Sequence, residues 1–253
     1  MNKEIENVQI LILAAGKSTR MKSDEPKALA MLRGKPFLQH IIDTLKTLNL
    51  TIEPVIVIGH KKERVLEVLG SGHKYATQHE QLGTGHAVES AKEVLHPEYK
   101  TLLVLSTDQP LVSKETIINL LHIHETKKAT VTLATVVLPD FEEWRIGMLH
   151  FGRIIRDENG NVSKIIEFKD ATEEQRNITE VNPALYVFDA EWLWKNISNI
   201  QNQNVQGEYY LTDLIKMAFD QGEKVEAVPV SNIHEGLQPN TKEELETLEK
   251  ITV

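Results

Sequence analysis

The chain has 253 residues, 41% hydrophobic and 26% charged, the composition of a folded globular protein long enough for one large domain. A net charge of −9 argues against a general nucleic-acid-binding surface, and the absence of cysteine excludes disulfides, thiolate metal sites and cysteine nucleophiles. No apolar run approaches the roughly 20 residues that span a bilayer, and MNKEIENVQ lacks the basic-then-apolar order of a secretory signal, so no membrane partner and a cytoplasmic location are expected.

The first predicted element is VQILILA, Val8 to Ala14, whose continuous apolar stretch ILIL is what a strand covered on both faces requires. A basic loop follows, carrying Lys17, Arg20, Lys22 and Lys27. Gly16, Lys17 and Ser18 match the end of the ATP-binding pattern G-x-x-x-x-G-K-[ST]. The opening glycine of that pattern would fall at Leu11, inside the strand, so the loop is not a P-loop. A helix around Pro36 to Leu48 comes next, then strand PVIVIG, helix HKKERVLEVLG, strand KYATQ, a helix starting near Gly85, strand TLLVLS and helix SKETIINLLHIHETKK. This alternation predicts a parallel sheet with crossover helices.

The second half changes character. ATVTLATVV, GRIIRD, VSKIIEF and EVNPALYVF read as strands with short connections, and DENGN, Asp157 to Asn161, as a hairpin turn. Helices return at DAEWLWKNI and YYLTDLIKMAFD. A last strand, KVEAVPV, precedes the capped helix NTKEELETLEK, which starts from Asn240 or Thr241. No Pro/Gly/Ser-rich linker and no internal repeat divides the chain, so a single α/β domain with a mixed excursion after about residue 138 is expected.

Four stretches carry chemistry. Backbone N–H groups of AAGKST can bind phosphate oxygens, Arg20 offers a bidentate fork, and Lys27 follows Pro26, which restricts the backbone that aims it. A solvated basic loop is the plainer alternative. Asp108, in LVLSTDQPLV, stands beyond the carboxyl end of a strand, where open parallel sheets bind ligands. A carboxylate there, facing a polyphosphate, is placed to hold Mg²⁺, or simply to cap the following turn. In QHEQLGTGHAV, Gly83, Thr84 and Gly85 form a flexible turn into a helix, and Gln78 has the donors and acceptor that a uracil edge needs; His86, at the helix start, reads as structural. Glu167, Asn182, Tyr210 and Thr212, in IIEFKDA, EVNPALY and GEYYLTD, are hydroxyl-binding types, each also open to a purely structural part. Lys169 and Asp170 read as an exposed charge pair.

Taken in order, these segments resemble the sugar-nucleotidyltransferase family, most closely the uridylyltransferase half of the bacterial bifunctional N-acetylglucosamine-1-phosphate uridylyltransferase/glucosamine-1-phosphate acetyltransferases. Leu13 to Lys27 match the opening pattern L-A-A-G-x-G-T-R-M-x-S-x-x-P-K except for Ser18 in place of the second glycine. QHEQLGTGHA resembles the uracil-binding segment, STDQP the metal-binding G-D-x-P, and GRIIRDENGNVSKIIEFKDAT with QGEYYLTDLI the sugar-binding half. The resemblance is collinear from about residue 8 to 245. It implies a Rossmann-like fold of the GT-A type, with a mostly parallel mixed sheet, helices on both faces, a nucleotide-binding part at about 1–138 and a sugar-binding part at about 139–253. It implies Mg²⁺ as cofactor and, as substrates, UTP and a sugar-1-phosphate, foremost N-acetylglucosamine-1-phosphate; another nucleoside triphosphate or acceptor, or a non-catalytic nucleotide-binding regulator, is the alternative. Leu13, Ala14, Ala15, Gly16, Gln78, Gly83 and Thr84 would hold the nucleotide, Arg20 and Lys27 the phosphates, Asp108 and Asn240 the metal, and Gly152, Glu167, Asn182, Tyr210 and Thr212 the sugar.

Three departures bear on that expectation. EVNPALY stands where the family has E-[IV]-N-x-G-[IL]-Y, so Ala184 replaces a glycine near the sugar. LPDFEEWRIGMLHFGRI is longer than the usual D-P-x-x-Y-G-R-I connection. No run of hexapeptide repeats occurs in these residues, so neither acetyl transfer nor trimerisation through a left-handed β-helix is expected, and the oligomeric state is open.

Overall fold

The computed structural model describes residues 4–16 and 25–251. In chain order the elements are β1 (Val8–Ala14), β2 (Met31–Leu32), β3 (Lys35–Pro36), α1 (Phe37–Lys46), β4 (Val55–Ile58), α2 (Lys62–Leu69), β5 (Lys74–Thr77), α3 (Thr84–Glu89), β6 (Thr101–Ser106), α4 (Lys114–Lys127), β7 (Val131–Val137), β8 (Gly152–Arg156), β9 (Val162–Ile166), α5 (Glu173–Arg176), β10 (Glu180–Asn182), β11 (Tyr186–Asp189), α6 (Ala190–Asn196), α7 (Asp213–Asp220), β12 (Val225–Pro229) and α8 (Lys242–Ile251).

Among the described residues, ten of these strands form one mixed sheet in the order β5-β4-β1-β6-β11-β7-β10-β8-β9, with β12 also paired to β7. The first four are mutually parallel, joined by crossover helices as their apolar runs predict. Alternate residues serve opposite faces. Leu11, Val55, Val57, Leu102 and Val104 pack with Ala87 of α3, Leu193 of α6 and Leu214 of α7. Ile10, Ile12, Ile56, Ile58 and Leu103 pack with Ile41 of α1 and Ile117 of α4. Burial on both faces is why neither face of these strands reads as polar.

β11 enters antiparallel between β6 and β7, so the second half of the chain is built into the same sheet as the first. EVNPALYVF is therefore two strands, not one. Asn182 ends β10, Pro183 has no N–H to give to a ladder, and Ala184 takes a positive φ of 62° before β11 begins. YYLTDLIKMAFD is helical only from Asp213, because the backbone of Tyr209 is held elsewhere: its N–H donates to Leu82 O at 2.8 Å and its carbonyl accepts from Gly85 N at 2.8 Å. The last helix starts at Lys242 and is capped by Thr241, whose hydroxyl accepts from Glu244 N at 3.1 Å, while Glu244 Oε2 accepts from Asn240 N at 2.6 Å. The long connection before β8 contains a 3-10 turn, Glu143–Met148, whose Met148 joins Phe151 and Leu248 of α8 in a third apolar cluster. At DENGN the turn is held by Asp157, whose Oδ1 accepts from Asn159 N and Asn161 N, with Gly160 at φ 83°.

Candidate active site

The carboxyl ends of β1 and β6 lie side by side, Leu13 opposite Ser106, and the chain beyond them gathers the polar residues. Leu13 O is capped twice, by Thr107 N and by Thr107 Oγ1, both at 3.1 Å. This pins the end of β1 to the loop that carries Asp108. Ala14 and Ala15 are buried and Gly16 is exposed. An added Cβ on Gly59, at the end of β4, would stand 2.8 Å from Ala15 Cβ and 2.9 Å from Gln78 O, so the three strand ends converge as far as atoms allow. Gly59 was not singled out from sequence; the only signal is its place directly after PVIVI. Arg20 lies outside the described residues.

Lys27 sits in a 3-10 turn, Lys27–Leu29, that leaves Pro26 at φ −55°. Its Nζ donates to Asp108 Oδ2 at 3.0 Å and to Asn240 Oδ1 at 2.6 Å, bringing together residues 81 and 213 positions apart. Burial alone would push the Asp108 carboxyl up, but the Lys27 ammonium beside it, with hydrogen bonds from Ser106, Lys27 and its own backbone N–H, holds it below the usual carboxylate value. Among the described residues, Asp108 Oδ1 is buried and has no hydrogen-bond partner. An anionic oxygen in that condition is short of a positive neighbour. Asp108 and Asn240 are hard oxygen donors around one point of positive charge, so the residues present fit a hard divalent cation that takes its remaining ligands from phosphate and water.

The turn around Gly83 is tightly tied to the 209–211 segment. Gln78 is buried, and its amide nitrogen is 3.0 Å from Gly83 O, to which it donates, and 3.1 Å from His86 Nδ1. The donors assigned from sequence to a base edge are thus engaged within the protein, and His86 braces them. Gly83 has φ 115°, and a Cβ there would lie 2.6 Å from Tyr209 O. Thr84 Oγ1 accepts from Leu211 N at 2.9 Å.

On the other side, Gly152 faces Asn182 across β8 and β10, and an added Cβ would stand 2.9 Å from Ile165 and 3.5 Å from Glu167 Oε1. Glu167 Oε1 accepts from Thr212 Oγ1 at 3.2 Å. Burial raises the Glu167 pKa, and Asp170, Asp213 and Glu208 raise it further against the lowering hydrogen bond. Burial and the same acidic neighbourhood push the Tyr210 hydroxyl up to about 12, where it accepts from Gln206 Nε2 at 2.8 Å. Asn182 donates to Tyr186 OH at 2.6 Å and accepts from Ala184 N at 3.0 Å, so both ends of its amide shape the turn itself. Lys169 and Asp170 do not pair with each other. Lys169 Nζ donates to Gln206 Oε1 at 2.5 Å and Asp170 Oδ1 accepts from Val205 N at 3.3 Å, so each fastens the 204–208 loop.

Among the described residues, Arg153, fully buried, has only backbone carbonyls as its hydrogen-bond acceptors: Leu149, Phe151 and Arg176. Its guanidinium lies 4.7 Å from the Phe141 ring centre and 5.2 Å from that of Phe168. Burial, with Arg176 nearby, lowers its pKa to about 10. It was read only as part of GRI, because one arginine in a strand gives no sign that its partners are carbonyls.

Residues 10–163 match the MobA-like NTP transferase domain family. The chain belongs to that family. Among curated relatives of this NTP transferase domain, the bifunctional protein GlmU of Exiguobacterium sibiricum is 45% identical over 92% of the chain, and that of Bacillus licheniformis 44% over 92%. The chain spans about half the length of these relatives, 50% and 49%. In fold, a UDP-glucose pyrophosphorylase solved with UDP-glucose superposes with a TM-score of 0.74 at 15% identity, covering 96% of this chain and 97% of that one. A 4-diphosphocytidyl-2C-methyl-D-erythritol synthase of Anaerococcus prevotii gives 0.63 at 14%, covering 97% of each. The Rossmann-like nucleotidyltransferase fold expected from sequence is the fold observed.

Proposed function

We propose that this NTP transferase domain moves a uridylyl group from UTP to a sugar-1-phosphate, most closely N-acetylglucosamine-1-phosphate. The observation that carries the reading is Lys27, held 3.0 Å from Asp108 and 2.6 Å from Asn240 at the carboxyl edge of β1 and β6. The relatedness to GlmU proteins over 92% of the chain supports the choice of nucleotide and sugar. A phosphate oxygen of the sugar-1-phosphate attacks the α-phosphorus of UTP. The bond to the bridging oxygen breaks, and pyrophosphate leaves with the electron pair. The attacking phosphate is already ionised at neutral pH, so no general base is needed.

Rate enhancement then comes from orientation and from placing positive charge where negative charge develops. Lys27 supplies a fixed ammonium, aimed by its two oxygen partners. Arg20 is assigned to the phosphates by its place in the opening pattern. Asp108 and Asn240 would hold Mg²⁺, which when bound neutralises charge on the phosphates. Gly152, Glu167 and Thr212 line the sugar side, with Tyr210 and Asn182 shaping its turns.

The test is pyrophosphate release from UTP, CTP, GTP and ATP, each with a panel of sugar-1-phosphates. Release with UTP and N-acetylglucosamine-1-phosphate is expected. Release with another triphosphate alone would remove the uridylyl assignment, and no release with any pair would remove the catalytic one.

A further inference from the structure

Gln238 stands between the sugar-side turn and the Lys27 cluster and bonds to both. Its Nε2 donates to Pro183 O at 2.7 Å. Its backbone carbonyl accepts from Asn240 Nδ2 at 2.7 Å. With Nδ2 drawn back to Gln238, the other end of the Asn240 amide, Oδ1, faces Lys27 Nζ at 2.6 Å. Lys27 in turn meets Asp108. The far end of this chain is the turn in which Asn182 accepts from Ala184 N and Ala184 holds φ 62°. The two segments are also packed directly: a Cβ on Gly236 would lie 2.5 Å from Val136 and 3.7 Å from Pro183. Pro183 and Pro239 have no N–H, so neither contributes a backbone donor to join the loops. Gln238 does so instead, its side chain on the Pro183 carbonyl and its backbone carbonyl on Asn240.

We propose that Gln238 is a positioning residue that couples the sugar-side turn at Asn182–Ala184 to the orientation of Asn240 and Lys27. The inference rests on the reading under Proposed function in one respect: the turn must lie against the sugar for the coupling to serve turnover. Sugar docking at the turn is transmitted through the Pro183 carbonyl and Gln238 to the residue that faces the phosphates.

The test compares the wild-type protein with Gln238→Met and Gln238→Glu. Both keep the length of the side chain, and neither donates to the Pro183 carbonyl at neutral pH. The side-chain amide ¹⁵N–¹H resonances of Asn240, assigned by their loss in Asn240→Ala, report its orientation in the free protein. In both variants these resonances are expected to shift and broaden while the melting midpoint stays within a few degrees. With UTP and sugar-1-phosphate, kcat falls about fivefold, the scale of one lost hydrogen bond, and the KM for UTP is unchanged. Asn240 resonances identical to wild type would overturn the proposal, as would an unchanged kcat in a folded, active variant. A wild-type protein that releases no pyrophosphate from any pair removes the functional reading instead, and the Asn240 resonances still decide whether Gln238 orients that side chain.

Discussion

Lys27 is the residue on which the site turns, because its two partners arrive from distant parts of the chain and both are oxygen acceptors. Replacing it with alanine removes the ammonium that pairs with Asp108 and that is proposed to face the phosphates. Lys27→Ala and Asp108→Ala are each expected to fold, shown by an unchanged circular-dichroism spectrum, and to lose about 10²–10³ in kcat, the scale seen when one aimed electrostatic donor is removed. Glu167 behaves differently. Its folded pKa is raised above the ordinary 4.5, so the folded state holds the proton more tightly than the unfolded chain. The stability this gives is fully present below the unfolded value and is lost as pH rises through the folded one. Above the folded value the buried carboxylate, once ionised, therefore weakens the fold. Glu167→Gln should raise the melting midpoint at pH 7.5 by about 2–4 °C, with the gain shrinking toward pH 4.5, and should raise the KM for the sugar-1-phosphate. Equal melting curves at both pH values would contradict the burial argument. The left-handed Ala184 carries backbone strain: Ala184→Gly relieves its Cβ, and a small gain in stability of about 0.5–1 kcal/mol is expected in urea unfolding.

At the scale of elements, the connection before β8 and the α5 loop are held by one buried side chain. Arg153 satisfies carbonyls of Leu149, Phe151 and Arg176, so Arg153→Leu leaves three acceptors without it. A loss of roughly 3 kcal/mol or more in denaturant stability is expected, at about 1–3 kcal/mol for each unsatisfied buried group. The strand and helix types of the first half were legible because their apolar runs are long and continuous. The boundaries that failed lie where tertiary contacts override local preference. Tyr209 to Thr212 carry no helix breaker, yet stay out of α7 because Leu82 and Gly85 bind the Tyr209 backbone. EVNPALYVF is β-prone on both sides of Pro183, and only pairing with different neighbours divides it.

At the scale of the molecule, β11 joins the two halves within one sheet, and Thr84 and Gly83 meet Tyr209 and Leu211 across the site. The two halves of the chain should therefore unfold together. Denaturant unfolding followed by tryptophan emission, which reports only on Trp144, Trp192 and Trp194 of the second half, is expected to coincide with loss of hydrogen-exchange protection in β4 of the first. Two separated transitions would mean two domains. The sequence by itself determined the alternating α/β order, the loop that is not a P-loop, and the candidates Lys27, Asp108 and Asn240, because apolar periodicity and short collinear motifs are local properties of the chain. Only the tertiary structure decided that these three share one point of positive charge, that the amides of Gln78 and Asn182 are already engaged within the protein, and that Gln238 bridges the two sides. Hydrogen-bond partners up to 213 positions apart are chosen by how the sheet brings its strand ends together, and no local pattern records that choice.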